Sequence, residues 1–375
     1  MSAIPARLGV QQRVLPNYRA PFFDALASAC PPGVSVFAGL PRPEEAIETR
    51  VELAAAQLAP ARNLHLGRGS LYLCFQRGLP GWLERWDPGA LIVEANPRYL
   101  STPAGVRWMR SRGRPVIGWG LGAPVSGGVF SGLRAAARRA FLSQFDVLIT
   151  YSQQGAQEYQ RLGFSAERVF VAPNAAARRP VHPIPVRSLA ALPHQLTLLF
   201  VGRLQARKRV DLLLHACQRL PEGLRPHLWV VGDGPERASL EKIAREVYPN
   251  ALFLGARHGA QLERLFVAAD VFVLPGTGGL AVQQAMSFGL PVMVAEADGT
   301  QSDLVRPANG WQLPPGDADA LVRYLSDALS DTPRLRRMGE ESYRIASEEI
   351  NLEHMVDVFA RAVEAALERS KRRRG

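Results

Sequence analysis

Short apolar, β-branched runs alternate with helix-like stretches along most of the chain, and that alternation admits few folds. A strand without a polar side must be covered on both faces, and a parallel neighbour must be reached by a crossover. The expected class is therefore α/β, with parallel sheets covered by helices on both sides. In the first block the expected strands are Arg7–Leu15, Val34–Gly39, Ala90–Ala95, Val116–Trp119, Asp146–Ser152 and Val169–Ala172. Helices are expected at Pro21–Cys30, Val129–Leu142 and Gln153–Leu162. Prolines 173, 180, 183, 185 and 193 then interrupt the pattern as a linker would. A second block has expected strands Leu196–Gly202, Leu228–Val231, Ala251–Gly255, Val271–Leu274 and Pro291–Ala295. Its helices are expected near Val210–Leu220, Glu236–Val247 and Leu280–Phe288. After Asp317 only helical patterning remains, ending in the amphipathic stretch Leu352–Leu367 and a basic tail. The expected layout is a domain over 1–180, a linker over 181–195, a second domain over 196–347, and a final helix with its tail over 348–375. Both domains read as doubly wound, with ligands at the carboxyl ends of their strands.

Charge narrows the partners. The chain has 45 Lys+Arg against 34 Asp+Glu, a net +11, which suits a phosphate-bearing ligand, an acidic membrane surface or a nucleic acid. Nucleic acid is disfavoured, because no recognised motif interleaves aromatics with the basic residues. Lys208, Lys242 and Lys371 are the only lysines, so a lysine in a loop carries more information than any one arginine. Cysteines 30, 74 and 217 are too far apart for a CxxC pair or a disulfide framework, so a reducing cytoplasm is expected. The first residues hold no apolar run of signal-peptide length, and no stretch has transmembrane length. Histidines are few and none are paired at metal spacing, so no metal site is expected. Asp317-Ala-Asp319 follows Pro-Pro-Gly and opens a helix, which makes Asp317 an expected N-cap rather than a metal ligand.

Three segments carry chemistry. In Phe200-Val-Gly-Arg-Leu-Gln-Ala-Arg-Lys208 a strand ends at Gly202 and a basic loop leads into a helix. Gly202 permits close backbone approach, while Arg203 and Lys208 bracket a diphosphate-sized site, one by a planar fork and one as a point charge. A solvated basic loop is the bland alternative. In Trp229-Val-Val-Gly-Asp-Gly-Pro-Glu236 a strand runs into a glycine turn. It lacks the third glycine of a dinucleotide fingerprint, and it also reads as a tight turn with Pro235 at the helix start. In Val273–Val292, Gly276, Gly278 and Gly279 lie between a strand and a helix, where their amides can cradle an anion.

In this order the three segments resemble the C-terminal half of the retaining family 4 (group 1) glycosyltransferases of GT-B fold, over about residues 196–330. Those enzymes share the GRL…K loop, the GDGP turn, an FLG strand end (here Phe253-Leu-Gly255), and the E-x-F-G-x-x-x-x-E segment. The first half resembles the family more loosely, through Leu15–Phe23, Glu94–Arg98, Trp119–Gly122 and Tyr151-Ser152. The resemblance implies two Rossmann-like domains facing a cleft, and sugar transfer from a UDP- or GDP-linked donor with retention of configuration. It implies no cofactor beyond the nucleotide-sugar co-substrate, and a final helix that crosses back to the first domain. Donor contacts are implied at Gly202, Arg203, Lys208, Gly232, Gly255, Arg257, Gly278, Gly279, Leu280 and Gln284. Acceptor-side loops are implied at Asn17, Tyr18, Arg19 and Trp119. From the residues themselves, Glu94 joins Arg203 and Lys208 as a candidate catalytic residue, the alternative being that a single acid at a strand end caps or ties a loop. The family's paired glutamates fall on Gly276 and Gln284, and the His of its N-terminal loop falls on Leu121.

Two readings of function stay open. One is a transferase acting on a lipid-linked, cell-surface polysaccharide or other glycan acceptor. The other is a non-catalytic GT-B protein that binds donor or glycan and supports a partner transferase; a sugar-nucleotide epimerase of the same fold is a weaker third. Ser126–Phe145, with Arg134, Arg138 and Arg139 beside Phe130, Leu133 and Phe141, reads either as a helix resting on anionic lipid or as a surface helix with a core-facing stripe. Arg369–Arg374 is either a disordered end or a second lipid contact. The expected location is cytoplasmic, peripheral on the inner membrane face.

Overall fold

The computed structural model describes residues 3–45, 47–124, 131–278, 280–297 and 300–373. It divides into two compact units, 1–176 together with 352–375, and 177–351. The first unit runs β1 (Leu8–Val14), α1 (Ala20–Ser28), β2 (Val34–Gly39), β3 (Gln57–Pro60), β4 (Arg62–Leu66), β5 (Leu73–Arg77), α2 (Leu79–Trp86), β6 (Ala90–Glu94), α3 (Thr102–Ser111), β7 (Val116–Gly120), α4 (Ser131–Leu142), β8 (Val147–Thr150), α5 (Gln153–Arg161) and β9 (Val169–Val171). The second runs β10 (Thr197–Val201), α6 (Val210–Arg219), β11 (His227–Val231), α7 (Arg237–Val247), β12 (Ala251–Gly255), α8 (Gly259–Ala268), β13 (Val271–Leu274), α9 (Leu280–Ser287), β14 (Val292–Ala295), α10 (Gln301–Leu304), β15 (Gly310–Leu313), α11 (Ala318–Leu329) and α12 (Thr332–Glu348). Helix α13 (Leu352–Arg372) returns to the first unit.

Each unit holds one parallel sheet, ordered β3-β2-β1-β6-β7-β8-β9 in the first and β12-β11-β10-β13-β14-β15 in the second. Period-two alternation explains why both faces are covered. On β6, Ala90 and Ile92 enter a core with Phe22, Phe23 and Leu26 of α1 and Met355, Phe359 and Val363 of α13. Leu91 and Val93 enter the opposite core with Leu83 of α2 and Met109 of α3. The antiparallel pair β4–β5 lies outside both sheets.

Several elements had no clear sequence signature. Strand β15 (Gly310-Trp-Gln-Leu) has no β-branched residue, and its pairing with β14 holds it in place. The basic tail, expected as a disordered end or a second lipid contact, continues α13 to Arg372. Ser370 Oγ donates to the Gly113 carbonyl (2.6 Å), and Arg373 pairs with Asp146 (2.8 Å). The Pro-rich stretch expected as a linker is bound to the second unit through Arg187. That guanidinium donates to the carbonyls of Phe266 (2.8 Å) and Ala269 (2.7 Å) at the end of α8. It also donates to Phe288 (3.0 Å) and Gly289 (3.2 Å) at the end of α9. One cation thus caps two helix C-termini, where orphan carbonyls and the helix dipole favour positive charge. Burial lowers its pKa to about 10, which still leaves it charged at neutral pH.

Removing this cap should be costly. Arg187→Met keeps the apolar stem but leaves the four carbonyls without that donor, an expected loss of about 3 kcal/mol. Urea unfolding followed by circular dichroism should show a lower midpoint for the variant. An unchanged midpoint would mean that water or neighbouring side chains replace the cap.

Candidate functional site

In the second sheet the connections run to one side of β10 for β11 and β12, and to the other for β13 to β15. Loops leaving β10 and β13 therefore diverge at the carboxyl edge, where open α/β sheets bind ligands. The structure brings the three glycine-bearing segments together at that edge. Leu204 N–H donates to the Asp233 carbonyl (2.9 Å), and Glu236 N–H donates to the Leu204 carbonyl (3.1 Å). Gly232 has φ +137°, and a Cβ there would strike the Gly202 carbonyl. Gly255, at φ +69°, accepts the Gly232 N–H (2.9 Å), which sets the Gly255–Arg257 turn beside the second loop.

The third loop is locked to the first. Thr277 N–H donates to the Arg207 carbonyl (3.0 Å), and Lys208 Nζ donates to the Thr277 carbonyl (2.7 Å). A Cβ on Gly276 would collide with the Arg207 carbonyl and the Lys208 backbone. One on Gly278, at φ +97°, would stand 2.6 Å from Lys208 Nζ. Only glycine fits at 276 in this packing. Lys208 is 8% exposed, and burial, with Arg207 second, lowers its pKa to about 8. Arg203 and Arg257 are exposed. The Arg203 guanidinium makes no hydrogen bond or ion pair among the described residues. Leu280 opens α9, and Gln284 is half-buried one turn further on. Gly279 lies outside the described residues. The Arg207 guanidinium, not singled out from sequence, also donates to the Thr277 carbonyl (3.4 Å); its place beside the loop's one lysine was the available signal.

The first sheet has the same reversal, at β1. Glu94, at the end of β6, accepts the Arg13 backbone N–H and is half-buried. Burial pushes its carboxyl up to about 7, against the pull of Arg13 and Arg19. The Arg13 guanidinium pairs with Glu45 (2.8 Å); a charged residue inside a buried strand could have flagged it from sequence. Arg19 is 5% exposed, with its guanidinium over the rings of Trp119 (4.9 Å), Tyr151 (5.1 Å) and Tyr18 (5.4 Å). Tyr18 and Asn17 are exposed, and Asn17 Nδ2 contacts Glu48 (3.4 Å). Trp119, expected to end a strand and implied by the resemblance in an acceptor-side loop, is a core strand residue. It lies within β7, 1% exposed, against Phe22 and Phe359, because the strand continues to Gly120.

Asp317 caps α11 by accepting the Ala320 N–H (2.8 Å), and Asp319 pairs with Arg219 (2.6 Å). Among the described residues no cluster of His, Cys, Asp and Glu could hold a metal. On α4 the core-facing side is confined to the C-terminal end, where Phe141 and Leu142 join the core. Leu133, Arg134 and Arg139 are exposed, and Leu142 is the one buried residue of the helix. Phe130 and residues 126–129 lie outside the described residues.

The Lys208 environment gives a pH signature. Its folded pKa lies below the ordinary lysine value, so between about 8 and 10.5 the folded chain has released a proton that the unfolded chain retains. Stability contributed by this group therefore rises with pH across that window, while its attraction for an anion falls. Pyrophosphate binding measured by calorimetry should weaken from pH 7 to pH 9, and Lys208→Ala should abolish that difference. A pH-independent affinity would place the anion elsewhere.

Residues 6–175 match the model of the glycosyl transferase 4-like domain, and residues 187–345 match that of the glycosyl transferases group 1. The sulfoquinovosyl transferase SQD2 of Arabidopsis thaliana is 34% identical over 154 residues, 40% of this chain and 29% of that protein. A GDP-mannose-dependent alpha-mannosyltransferase of Mycobacterium tuberculosis is 39% identical over 135 residues, 35% of this chain and 32% of its own. The matches thus span about a third of the length of these two relatives. The lipopolysaccharide core biosynthesis glycosyltransferase LpsE of Rhizobium meliloti is 25% identical over 296 residues, 74% of this chain and 86% of that protein. Among solved structures, the lipopolysaccharide outer core galactosyltransferase WaaB superposes with a TM-score of 0.68 at 15% identity, covering 96% of this chain and 99% of its own. Anabaena HepE in complex with UDP gives 0.67 at 16% identity, covering 97% and 100%. Two family models that together span nearly the whole chain, and neighbours that share its two-sheet fold, make it a member of the group 1 glycosyltransferases of GT-B fold.

Proposed function

We propose that the protein transfers a hexosyl group, with retention of configuration, from a UDP- or GDP-linked donor to a lipid-linked, cell-surface polysaccharide or other glycan acceptor. The observation that carries this reading is the buried Lys208 ammonium, tied by one hydrogen bond to the Thr277 carbonyl at the reversal point of the second sheet. When the donor's glycosidic bond breaks, negative charge grows on the departing diphosphate. A pre-placed cation in a poorly solvated site stabilises that charge most strongly. Lys208 and the exposed Arg203 act on the diphosphate. The amides that open α9 assist, the Gly255–Arg257 turn lies against the base, and Gln284 faces the ribose.

The first unit binds the acceptor, with Asn17, Tyr18 and Arg19 at its edge. Glu94, with its carboxyl poised near neutrality, accepts a hydroxyl hydrogen bond there. HepE has been solved with UDP-glucose, and LpsE acts in lipopolysaccharide core biosynthesis, which supports a nucleotide-sugar donor and an envelope acceptor. Among the described residues no helix is long and apolar enough to cross a membrane. A lipid-linked acceptor is then met at the inner membrane face, where Arg134, Arg138 and Arg139 of α4 offer positive charge. The non-catalytic alternative draws on Gly276, which leaves no room for the carboxylate that the resemblance places there. Donor hydrolysis across a panel of nucleotide-sugars separates the two readings.

Arg203→Ala and Lys208→Ala should each lower turnover by on the order of 2–4 kcal/mol of transition-state stabilisation, with the fold unchanged. Wild-type rates in both variants would refute the diphosphate assignment.

The leaving group's charge is already met by Arg203, Lys208 and helix amides, so activity should persist in excess EDTA. Loss in EDTA that magnesium or manganese restores would show that a divalent cation takes part.

A further inference from the structure

Strands β4 and β5 form a ribbon whose polarity is reversed. On the inner face Asn63 pairs across the strands with Gln76, and His65 with Cys74. These residues are bound into the unit. Asn63 Nδ2 donates to the carbonyls of Arg13 (2.7 Å) and Leu40 (2.9 Å), and Gln76 Nε2 donates to the Gln12 carbonyl (2.9 Å). His65 contacts Tyr72 Oη (2.8 Å), and Cys74 is fully buried. The outer face carries the apolar set. Leu64 lies opposite Phe75 and Leu66 opposite Leu73, and Leu71 at the turn is 80% exposed. A ribbon normally turns its apolar side inward. Here hydrogen bonding fixes the polar side inward and leaves the apolar side to solvent.

The charged residues of this segment are of one sign. Arg62 and Arg77 are exposed and directly opposite each other in the ladder, and Arg68 is exposed at the turn. Two like charges at one cross-strand position are unfavourable unless something anionic lies over them. No Asp or Glu occurs between Glu52 and Glu84. Apolar side chains rimmed by arginine without acid match the interface of an anionic bilayer, which takes apolar groups below its headgroups and cations among them. A second copy of the chain fits less well, because a two-fold contact through this face would set the arginines of one copy against those of the other.

We propose that the outer face of the β4–β5 ribbon docks on an anionic lipid surface. This extends the membrane-surface reading from α4 to a second, separate element, and the two are tested by separate variants.

The test uses the full chain and sedimentation with phosphatidylcholine vesicles, alone or with about 30% phosphatidylglycerol. The wild type should pellet with the anionic vesicles and be released by salt. Leu71→Ser with Phe75→Ser, and separately Arg62→Gln with Arg77→Gln, should each weaken binding roughly tenfold or more. These side chains are exposed, so thermal midpoints should stay at the wild-type value. A third variant carrying Arg134→Gln, Arg138→Gln and Arg139→Gln reports on α4 with the ribbon intact, so failure of either surface is distinguishable. The ribbon proposal is overturned if the wild type ignores anionic vesicles, or if the ribbon variants pellet as it does. It is also overturned if sedimentation velocity shows a dimer that the Leu71/Phe75 variant abolishes, which would make the face a contact between copies.

Discussion

The Lys208–Thr277 hydrogen bond holds the second unit's carboxyl edge in the form described. An ammonium removed from water must find compensation, and one carbonyl 2.7 Å away satisfies one of its three N–H groups. Burial, with Arg207 beside it, lowers the pKa of this ammonium to about 8. The single hydrogen bond leaves a cation whose remaining donors are best satisfied by an anion, and whose position is fixed by backbone rather than by a flexible stem. The fixing comes from glycine. Positions 232 and 276 bring main chain against main chain at distances that no Cβ would permit, so the loops after β10, β11 and β13 behave as one body.

Both sheets follow the same logic with different chemistry at the edge. Each begins with its central strand, lays two strands on one side, and then crosses to the other, so each has one reversal point. In the second unit that point carries Lys208, with Arg203 in the same loop. In the first it carries the Glu94 carboxyl, the Arg13–Glu45 pair and an arginine set among three aromatic rings. A cationic edge suits a leaving diphosphate, and a carboxyl poised near neutrality suits a hydroxyl.

The sheets were legible because their central strands are continuous apolar runs that leave no choice of face, as in Ala90–Glu94 and Val271–Leu274. Edge elements were not. β3, β4 and β15 are short and mixed in polarity, and tertiary pairing decides them. The glycine loops were legible as a set, because glycine between a strand and a helix has few reasons to be there. Trp119 was legible as the end of a strand; the resemblance alone set it in an acceptor-side loop, and β7, which runs one residue further, buries the indole. Arg187 was hidden because nothing local marks an arginine whose partners lie some 80 to 100 residues away. The reversed polarity of β4–β5 was equally invisible: alternation shows that a strand has two faces, not which one the fold turns inward.

The same packing separates the two positions where the chain departs from the family's glutamates. At 276 the main chain of residues 207 and 208 fills the space a side chain would need, so a glutamate would act as a wedge between the first and third loops. It would displace Lys208 before it could reach any sugar. At 284 the side chain is half-buried on α9, and exchange between amide and carboxylate changes charge without changing shape. Gly276 is therefore part of how the cation is held, and in the proposed donor site Gln284 is where an added carboxylate would change affinity. On the proposed reading, loss of the first glutamate is compatible with catalysis, because the charge that develops on a leaving diphosphate would be met by lysine and backbone amides and not by a carboxylate that touches the sugar.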